Sequence, residues 1–201
     1  MAGISSPAKG LGYAMEEEAA SPHGPPTPAL VSTFEQLFLE KYSLIVSVLF
    51  RLTGDRARAE ELANEVFLKL YRQRLPLRDD GNPGGWLYRT ALNVGIDALR
   101  AHSRRKKYEQ EAGRRVFESQ EARNPLDEVL RAERRDRVRA VLASLKPAQA
   151  QILVLRHSGF SYKELAQILG LAMGSVGTML ARAEAEFERR YLQLHENEEG
   201  L

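Results

Sequence analysis

The sequence contains no cysteine in its 201 residues, which excludes disulfide bonds, thiolate zinc sites and a cysteine nucleophile. Its four histidines are scattered, and no pair has the spacing of two metal ligands on one helix: His23, His102, His157 and His195. No apolar run approaches the roughly 18 residues of a membrane helix, and the N-terminus lacks a signal-peptide pattern. We therefore expect a soluble cytoplasmic protein without metal, other cofactor or membrane insertion.

A strong excess of one charge is also absent. The net charge is +2, so total charge argues only weakly for a nucleic-acid partner. The distribution is more informative, because the acidic far C-terminus contrasts with a tight basic cluster in the middle of the chain: Arg100, Arg104, Arg105, Lys106 and Lys107. Hydrophobic residues make up 43% of the chain, which is enough for a packed core.

Helical patterns dominate the first half of the chain, where no segment alternates like a strand. Residues 1–31 contain several prolines and few large apolar residues, so we predict a disordered tail. The capping box Ser32–Glu35 then predicts the start of a helix, and Asp55 predicts the cap of a second. A loop rich in Gly, Asp, Asn and Pro at 79–85 separates these from a third helix that begins near Trp86.

The second half has a similar pattern. Residues 109–124 have few apolar anchors and indicate a linker. Helices are predicted from about Pro125, over about Pro147–His157, from Ser161 to Gly170, and from about Gly174 to Leu194. The sequence therefore predicts an all-α protein with two small helical domains, 32–108 and 125–194, and an acidic tail at 195–201.

The strongest local signal lies between Ser161 and Leu180. Ala166, Gly170 and Val176 have the spacing of a helix-turn-helix: a small residue where two helices pack closely, a glycine for a left-handed turn, and an apolar anchor on the second helix. Such a unit presents its second helix to the major groove of DNA. An ordinary helical hairpin is the alternative that these residues leave open.

Two helical segments in the first half carry further signals. Residues 58–71 have an apolar face and a polar face, typical of a solvated amphipathic helix. Residues 86–100 place aromatic side chains beside Arg and Asn and lead into the basic cluster, which suits single-stranded DNA. A Trp in the core with a solvated basic end explains the third helix equally well.

These three segments, in this order, resemble the extracytoplasmic-function sigma factors over about residues 34–191. The resemblance implies a non-enzymatic initiation factor that binds core RNA polymerase and promoter DNA and has an anti-sigma partner. The 58–71 segment resembles the polymerase-binding helix of region 2, which implies contacts from Glu61, Leu62, Asn64, Glu65, Phe67 and Leu68. Residues 86–105 resemble the helix that opens and reads the −10 element, which implies contacts from Trp86, Arg89, Asn93, Asp97, Arg100, Arg104 and Arg105.

The helix-turn-helix resembles region 4, which reads the −35 element. The residues implied for this contact are Ser161, Lys163, Gly174, Ser175, Thr178 and Arg182. The recognition helix departs from the family pattern, because Gly177, Met179 and Glu184 stand at usually basic positions. We therefore expect it to rely on phosphate contacts and DNA shape more than on base-specific donors.

Two other functions are alternatives for this sequence. A one-component regulator could use the helix-turn-helix as a dimer on duplex DNA, but it would leave the N-terminal half unexplained. A nuclease would need a convincing constellation of metal ligands or a nucleophile, and we find none in the sequence.

Overall fold

The computed structural model describes residues 28–73, 82–111 and 125–199. Most of the predicted tail, the first three residues of the 79–85 loop and most of the linker lie outside this range. The described residues form helices throughout, as predicted: α1 (Pro28–Thr53), α2 (Arg56–Gln73), α3 (Pro83–Glu111), α4 (Pro125–Ser144), α5 (Pro147–His157), α6 (Tyr162–Leu169) and α7 (Met173–Glu199).

Helices α1, α2 and α3 pack into the first helical unit. Their apolar stripes meet at a core that includes Ile45, Leu49, Val66, Leu70 and Leu92, all fully buried. A cluster of aromatic side chains packs the N-terminal half of α1 against α2, with the centroids of neighbouring rings 4.8–6.3 Å apart. Its members are Phe34, Phe38, Tyr42, Phe67 and Tyr71.

Three helix ends in this unit differ from the sequence prediction. Helix α1 begins at Pro28 rather than at Ser32, because proline is accommodated in a first turn whose amides have no helical partner. Helix α3 likewise begins at Pro83 rather than near Trp86, and Asn82 accepts the Gly85 amide at 2.7 Å. The Asn–Pro pair read as a loop breaker is thus a helix start. At its other end α3 continues to Glu111, past the predicted domain limit at 108.

Helices α4 to α7 form the second unit, whose first described helix begins at Pro125. Its core includes Leu145, Ile152, Leu155, Leu165 and Val176. Helix α7 is longer than predicted, because it continues through the acidic residues to Glu199. In its second half the Arg190 guanidinium donates to the Ser144 carbonyl, which holds α7 against the end of α4.

The turn between α6 and α7 has the predicted helix-turn-helix form. The two helices lie at 94° to each other, within the range of such motifs. Gly170 has the left-handed conformation with φ of 67°, and Val176 is fully buried.

In the described part of the chain no single helix is long and apolar enough to cross a membrane, and the α6–α7 pair passes that test only by length and composition.

Candidate functional site

One face of α3 gathers most of the residues predicted to contact the −10 element. At about 100° per residue, six of them fall within a stripe about 80° wide: Trp86, Arg89, Asn93, Asp97, Arg100 and Arg104. Asn93, Asp97 and Arg104 are exposed, whereas Trp86, Arg89 and Arg100 are half-buried. Arg105 is exposed but lies beside this stripe rather than on it. We call these six residues the α3 stripe.

The α3 stripe faces the second helical unit, and three of its polar side chains are bonded there. Arg89 donates to the Ile168 carbonyl at 2.6 Å. Arg100 donates to the carbonyls of Ala143 and Leu145 at 3.2 and 3.0 Å. Asn93 accepts a hydrogen bond from the Gln151 amide at 2.7 Å, so these three polar groups already have protein partners.

Tyr88 lies behind the stripe and belongs to the contact between the two units. Its ring packs edge-on against Phe160, with centroids 4.9 Å apart, and only 6% of the residue is exposed. Burial raises the pKa of the Tyr88 hydroxyl, and the nearby Glu164 carboxylate raises it further. Tyr88 is therefore a packing residue in this arrangement.

The basic cluster at the end of α3 is mostly open to solvent. Arg104, Arg105 and Lys106 are exposed, and Lys106 pairs with Asp136 of α4 at 2.5 Å. Exposed cations on one helix end attract phosphates through a long-range, salt-sensitive field. The cluster can therefore hold a nucleic-acid backbone without reading its sequence.

The polar face of α2 is narrower than the predicted polymerase contact. Glu61, Asn64, Glu65 and Leu68 are exposed and lie within about 100° of one another on the helix. Leu62 and Phe67, by contrast, are each only 2% exposed, because they fall on the apolar stripe that meets α1. Both side chains pack in the core beneath the exposed α2 face, so we do not include them in the proposed polymerase contact.

Local bonds position the side chains of this α2 face. The Tyr42 hydroxyl donates to the Asn64 side-chain oxygen at 3.1 Å. Arg58 pairs with Glu61 and Lys69 with Glu65, each at 2.8 Å. Exposed pairs of this kind contribute little to stability, so their charges are available to a partner at small cost to the fold.

The helix-turn-helix exposes all six residues predicted for the −35 contact: Ser161, Lys163, Gly174, Ser175, Thr178 and Arg182. The Ser161 side chain also caps α6, since its oxygen accepts from the Glu164 amide. In return the Ser161 hydroxyl and amide donate to the Glu164 carboxylate, and these bonds hold the pKa of that carboxyl below its ordinary value. Ser161 therefore has a structural role whatever it does on DNA.

Two glycines of this motif should respond to alanine with opposite signs. Gly177→Ala should raise the melting temperature by a few degrees, because alanine gains about 1 kcal/mol in a helix and the new Cβ would meet only the Tyr162 ring, at 3.8 Å. Gly170→Ala should lower it by a similar amount, because its positive φ strains any Cβ although the space around it is open. Thermal unfolding followed by circular dichroism tests both, and a fall for Gly177→Ala would contradict this account of α7.

Sequence reasoning missed several residues that connect the two units. Gln151 bonds Asn93, and a Cβ at Gly54 would collide with the Arg139 guanidinium. Gly54 also has a φ of 72°, a conformation that favours glycine, whereas the flexible end of the Arg139 side chain can shift to make room for a Cβ. The sequence indicated only a helix stop at Gly54, and nothing in it marked Gln151, because contacts 58 residues apart leave no local pattern.

Within the described ranges no three His, Asp or Glu residues form a group that could hold a metal ion. The fold and its surfaces define a class of protein. It is a helical protein of two units, with a helix-turn-helix in the second unit and, on α3 of the first, a polar face suited to nucleic acid.

Comparisons with known proteins identify the family within this class. The model for Sigma-70 region 2 matches residues 37–105, and the model for Sigma-70, region 4 matches residues 135–187. The chain is 30% identical over 137 residues to the ECF RNA polymerase sigma-E factor of Escherichia coli, covering 65% of this chain and 72% of that protein. It is 27% identical to the ECF RNA polymerase sigma factor SigE of Mycolicibacterium smegmatis, covering 85% of this chain and 65% of the relative.

A solved structure with a similar course is the sigma factor RpoE from Bartonella quintana in complex with the anti-sigma factor NepR. The TM-score is 0.46 at 21% identity, over 78% of this chain and 95% of that chain.

The chain belongs to the extracytoplasmic-function group of the sigma-70 family. It is a non-enzymatic RNA polymerase sigma factor with region 2 and region 4 domains, and it directs promoter-specific transcription initiation.

Proposed function

We propose that the α3 stripe captures the non-template strand of the −10 element and assists its melting, while α7 docks on the −35 duplex. The observation that carries this proposal is the alignment of Trp86, Arg89, Asn93, Asp97, Arg100 and Arg104 on one helix face. An aromatic side chain can stack an unstacked base, an amide can bond its edge, and cations can hold the backbone. Flipping a base costs a few kcal/mol, which these contacts offset.

We propose that the exposed α2 face binds core polymerase through Glu61, Asn64, Glu65 and Leu68. Its carboxylates can pair with basic residues of a partner, and Leu68 offers an apolar contact at their centre. In this proposal region 2 extends from residue 28 to about 111 and region 4 from 125 to 199. Because the segment between them links the two regions, binding of one region to DNA raises the effective concentration of the other at its own element, and two weak contacts together give stronger binding.

The α7 surface supports a particular way of binding the upstream element. Gly174, Ser175 and Thr178 are small and exposed, and the free amides of the α7 N-terminus can hold a phosphate. Arg182 is exposed and makes no ion pair or hydrogen bond within the described part of the chain, so it can reach DNA. Region 4 would then depend on backbone contacts and DNA shape.

Family membership also carries the expectation of an anti-sigma partner and of action in the cytoplasm, where core polymerase and DNA meet.

In vitro transcription tests this proposal. Core polymerase with the purified chain should initiate from a promoter library randomised at both elements, and the selected sequences should carry more information at −10 than at −35. Core polymerase alone provides the control. Absence of chain-dependent start sites would contradict the −10 and −35 assignment, and information concentrated at −35 would contradict the account of α7.

A further inference from the structure

A tyrosine of α1 reaches the edge of the exposed α2 face. The Tyr42 hydroxyl donates to the side-chain oxygen of Asn64 at 3.1 Å. On α2, Asn64 lies about 60° around the helix from Phe67, on the side where α2 packs against α1. Glu61 and Glu65 lie farther around the helix and point away from α1. Asn64 is therefore the member of the α2 face whose side chain α1 can control.

The position of the Tyr42 hydroxyl is fixed by the packing of its ring. The ring centroid lies 4.8 Å from that of Phe38 and 5.8 Å from that of Phe67. Phe67 is only 2% exposed, and side chains packed this closely keep one rotamer. The Tyr42 hydroxyl is thus a hydrogen-bond donor that is already in place before any partner binds.

This bond orients the Asn64 amide. A side-chain amide carries an acceptor oxygen at one end and an NH₂ donor at the other. Because the oxygen faces Tyr42, the Nδ2 group is directed away from that hydroxyl, and it has no partner among the residues that the structure describes. Asn64 is itself exposed. The α2 face therefore presents a hydrogen-bond donor, held in one orientation, beside its two carboxylates.

We propose that Tyr42 is a positioning residue for core polymerase, which holds Asn64 so that its Nδ2 group donates to an oxygen acceptor on the polymerase. The proposal rests on the assignment of the α2 face to polymerase. Without the Tyr42 hydroxyl the amide can rotate freely, and polymerase binding must then order it. Ordering such a side chain at an interface corresponds to a loss of affinity of about fivefold. A carboxylate at position 64 would accept the Tyr42 bond but offer no donor to the partner.

Tyr42→Phe tests the proposal, because it removes the hydroxyl and keeps the ring in the aromatic cluster. A titration of the labelled full chain with core polymerase should show binding about fivefold weaker than that of the wild type. The melting temperature should change by less than about 3 °C, since one hydrogen bond contributes little to stability. The matched control is Tyr191→Phe, which removes the same hydroxyl from a ring that also packs on a phenylalanine, Phe187, at 6.0 Å. This control should bind core polymerase like the wild type.

A double-mutant cycle with Asn64→Ala separates positioning from direct contact. Asn64→Ala should weaken polymerase binding about tenfold, as for one lost hydrogen bond whose partner stays buried. In that background Tyr42→Phe should have no further effect, because the amide that it positions is gone. Asn64→Asp should bind no more tightly than Asn64→Ala, since it keeps the acceptor for Tyr42 and lacks the donor.

Three results would overturn the positioning role: wild-type affinity of Tyr42→Phe, an effect of Tyr42→Phe that persists in the Asn64→Ala background, or tighter binding by Asn64→Asp than by Asn64→Ala. The Glu61→Lys, Glu65→Lys variant, titrated beside them, shows which assignment has failed. If it weakens binding while Tyr42→Phe does not, only the role of Tyr42 is wrong. If it also binds like the wild type, the assignment of the α2 face to polymerase fails, and the role of Tyr42 fails with it.

Discussion

Reversing the charge at two positions of α2, with Glu61→Lys and Glu65→Lys together, should weaken binding to core polymerase by at least about a hundredfold. Such a loss corresponds to about 2.7 kcal/mol, and like charges brought together at an interface cost several kcal/mol. Both carboxylates are exposed, at 65% and 49% of the side chain. Their replacement should therefore change the free energy of unfolding by only about 0.5 kcal/mol per site.

The measurement is a binding titration of labelled protein with core polymerase, beside circular dichroism for the fold. The matched control reverses two exposed carboxylates of the second unit, Glu133→Lys and Glu188→Lys, and so has the same net charge. The control should bind core polymerase within about threefold of the wild type. Equal affinities for the two double variants would remove the α2 face from the polymerase contact.

The second large effect is expected at Asn93. Asn93→Ala should reduce promoter opening by more than about tenfold while leaving closed-complex binding within about twofold. The physical reason is that a bond to an extruded base forms only when the strand is open, so its loss acts on the melting step alone. Permanganate reactivity of thymines measures opening, and a gel shift of duplex promoter with holoenzyme measures the closed complex.

The bond between Asn93 and Gln151 complicates this experiment, because Asn93→Ala also removes a contact between the two units. The substitution should therefore be repeated in a Gln151→Ala background, where that contact is already lost. The difference between the two backgrounds gives the coupling between the residues. If opening and closed-complex binding fall equally in the Gln151→Ala background, Asn93 has a structural role instead.

Local pattern predicted most of the helices, and the exceptions have identifiable causes. Gly170 and Val176 occupy their predicted places because turn geometry and a buried anchor depend on residues only a few positions apart. The helix starts at Pro28 and Pro83 differ from the prediction because proline breaks a helix in its interior but is favourable in its first turn. The acidic residues after Leu194 join α7, since charge alone does not end a helix.

The candidate site was predicted less completely than the fold. Helical spacing placed the α3 stripe on one face, and it also separated Glu61 and Glu65 from Leu62 and Phe67, but the distinction between contact and core needed α1 to be in place. The family motif includes buried and exposed residues alike, so resemblance alone could not make that distinction. Roles on polymerase and DNA remain predictions that the variants above will test.

The sequence by itself determined the all-helical fold, the two units, the helix-turn-helix and the resemblance to a sigma factor, because periodicity, caps and motif order are properties of neighbouring residues. Only the tertiary structure decided which acceptors Arg89, Asn93 and Arg100 find. Their partners, Ile168, Gln151, Ala143 and Leu145, lie 43 to 79 residues away, and three of the four contribute backbone carbonyls. Every residue has such a carbonyl, so its side chain gives no sign of the contact, and only the packing of α3 against the ends of α4 and α6 creates it.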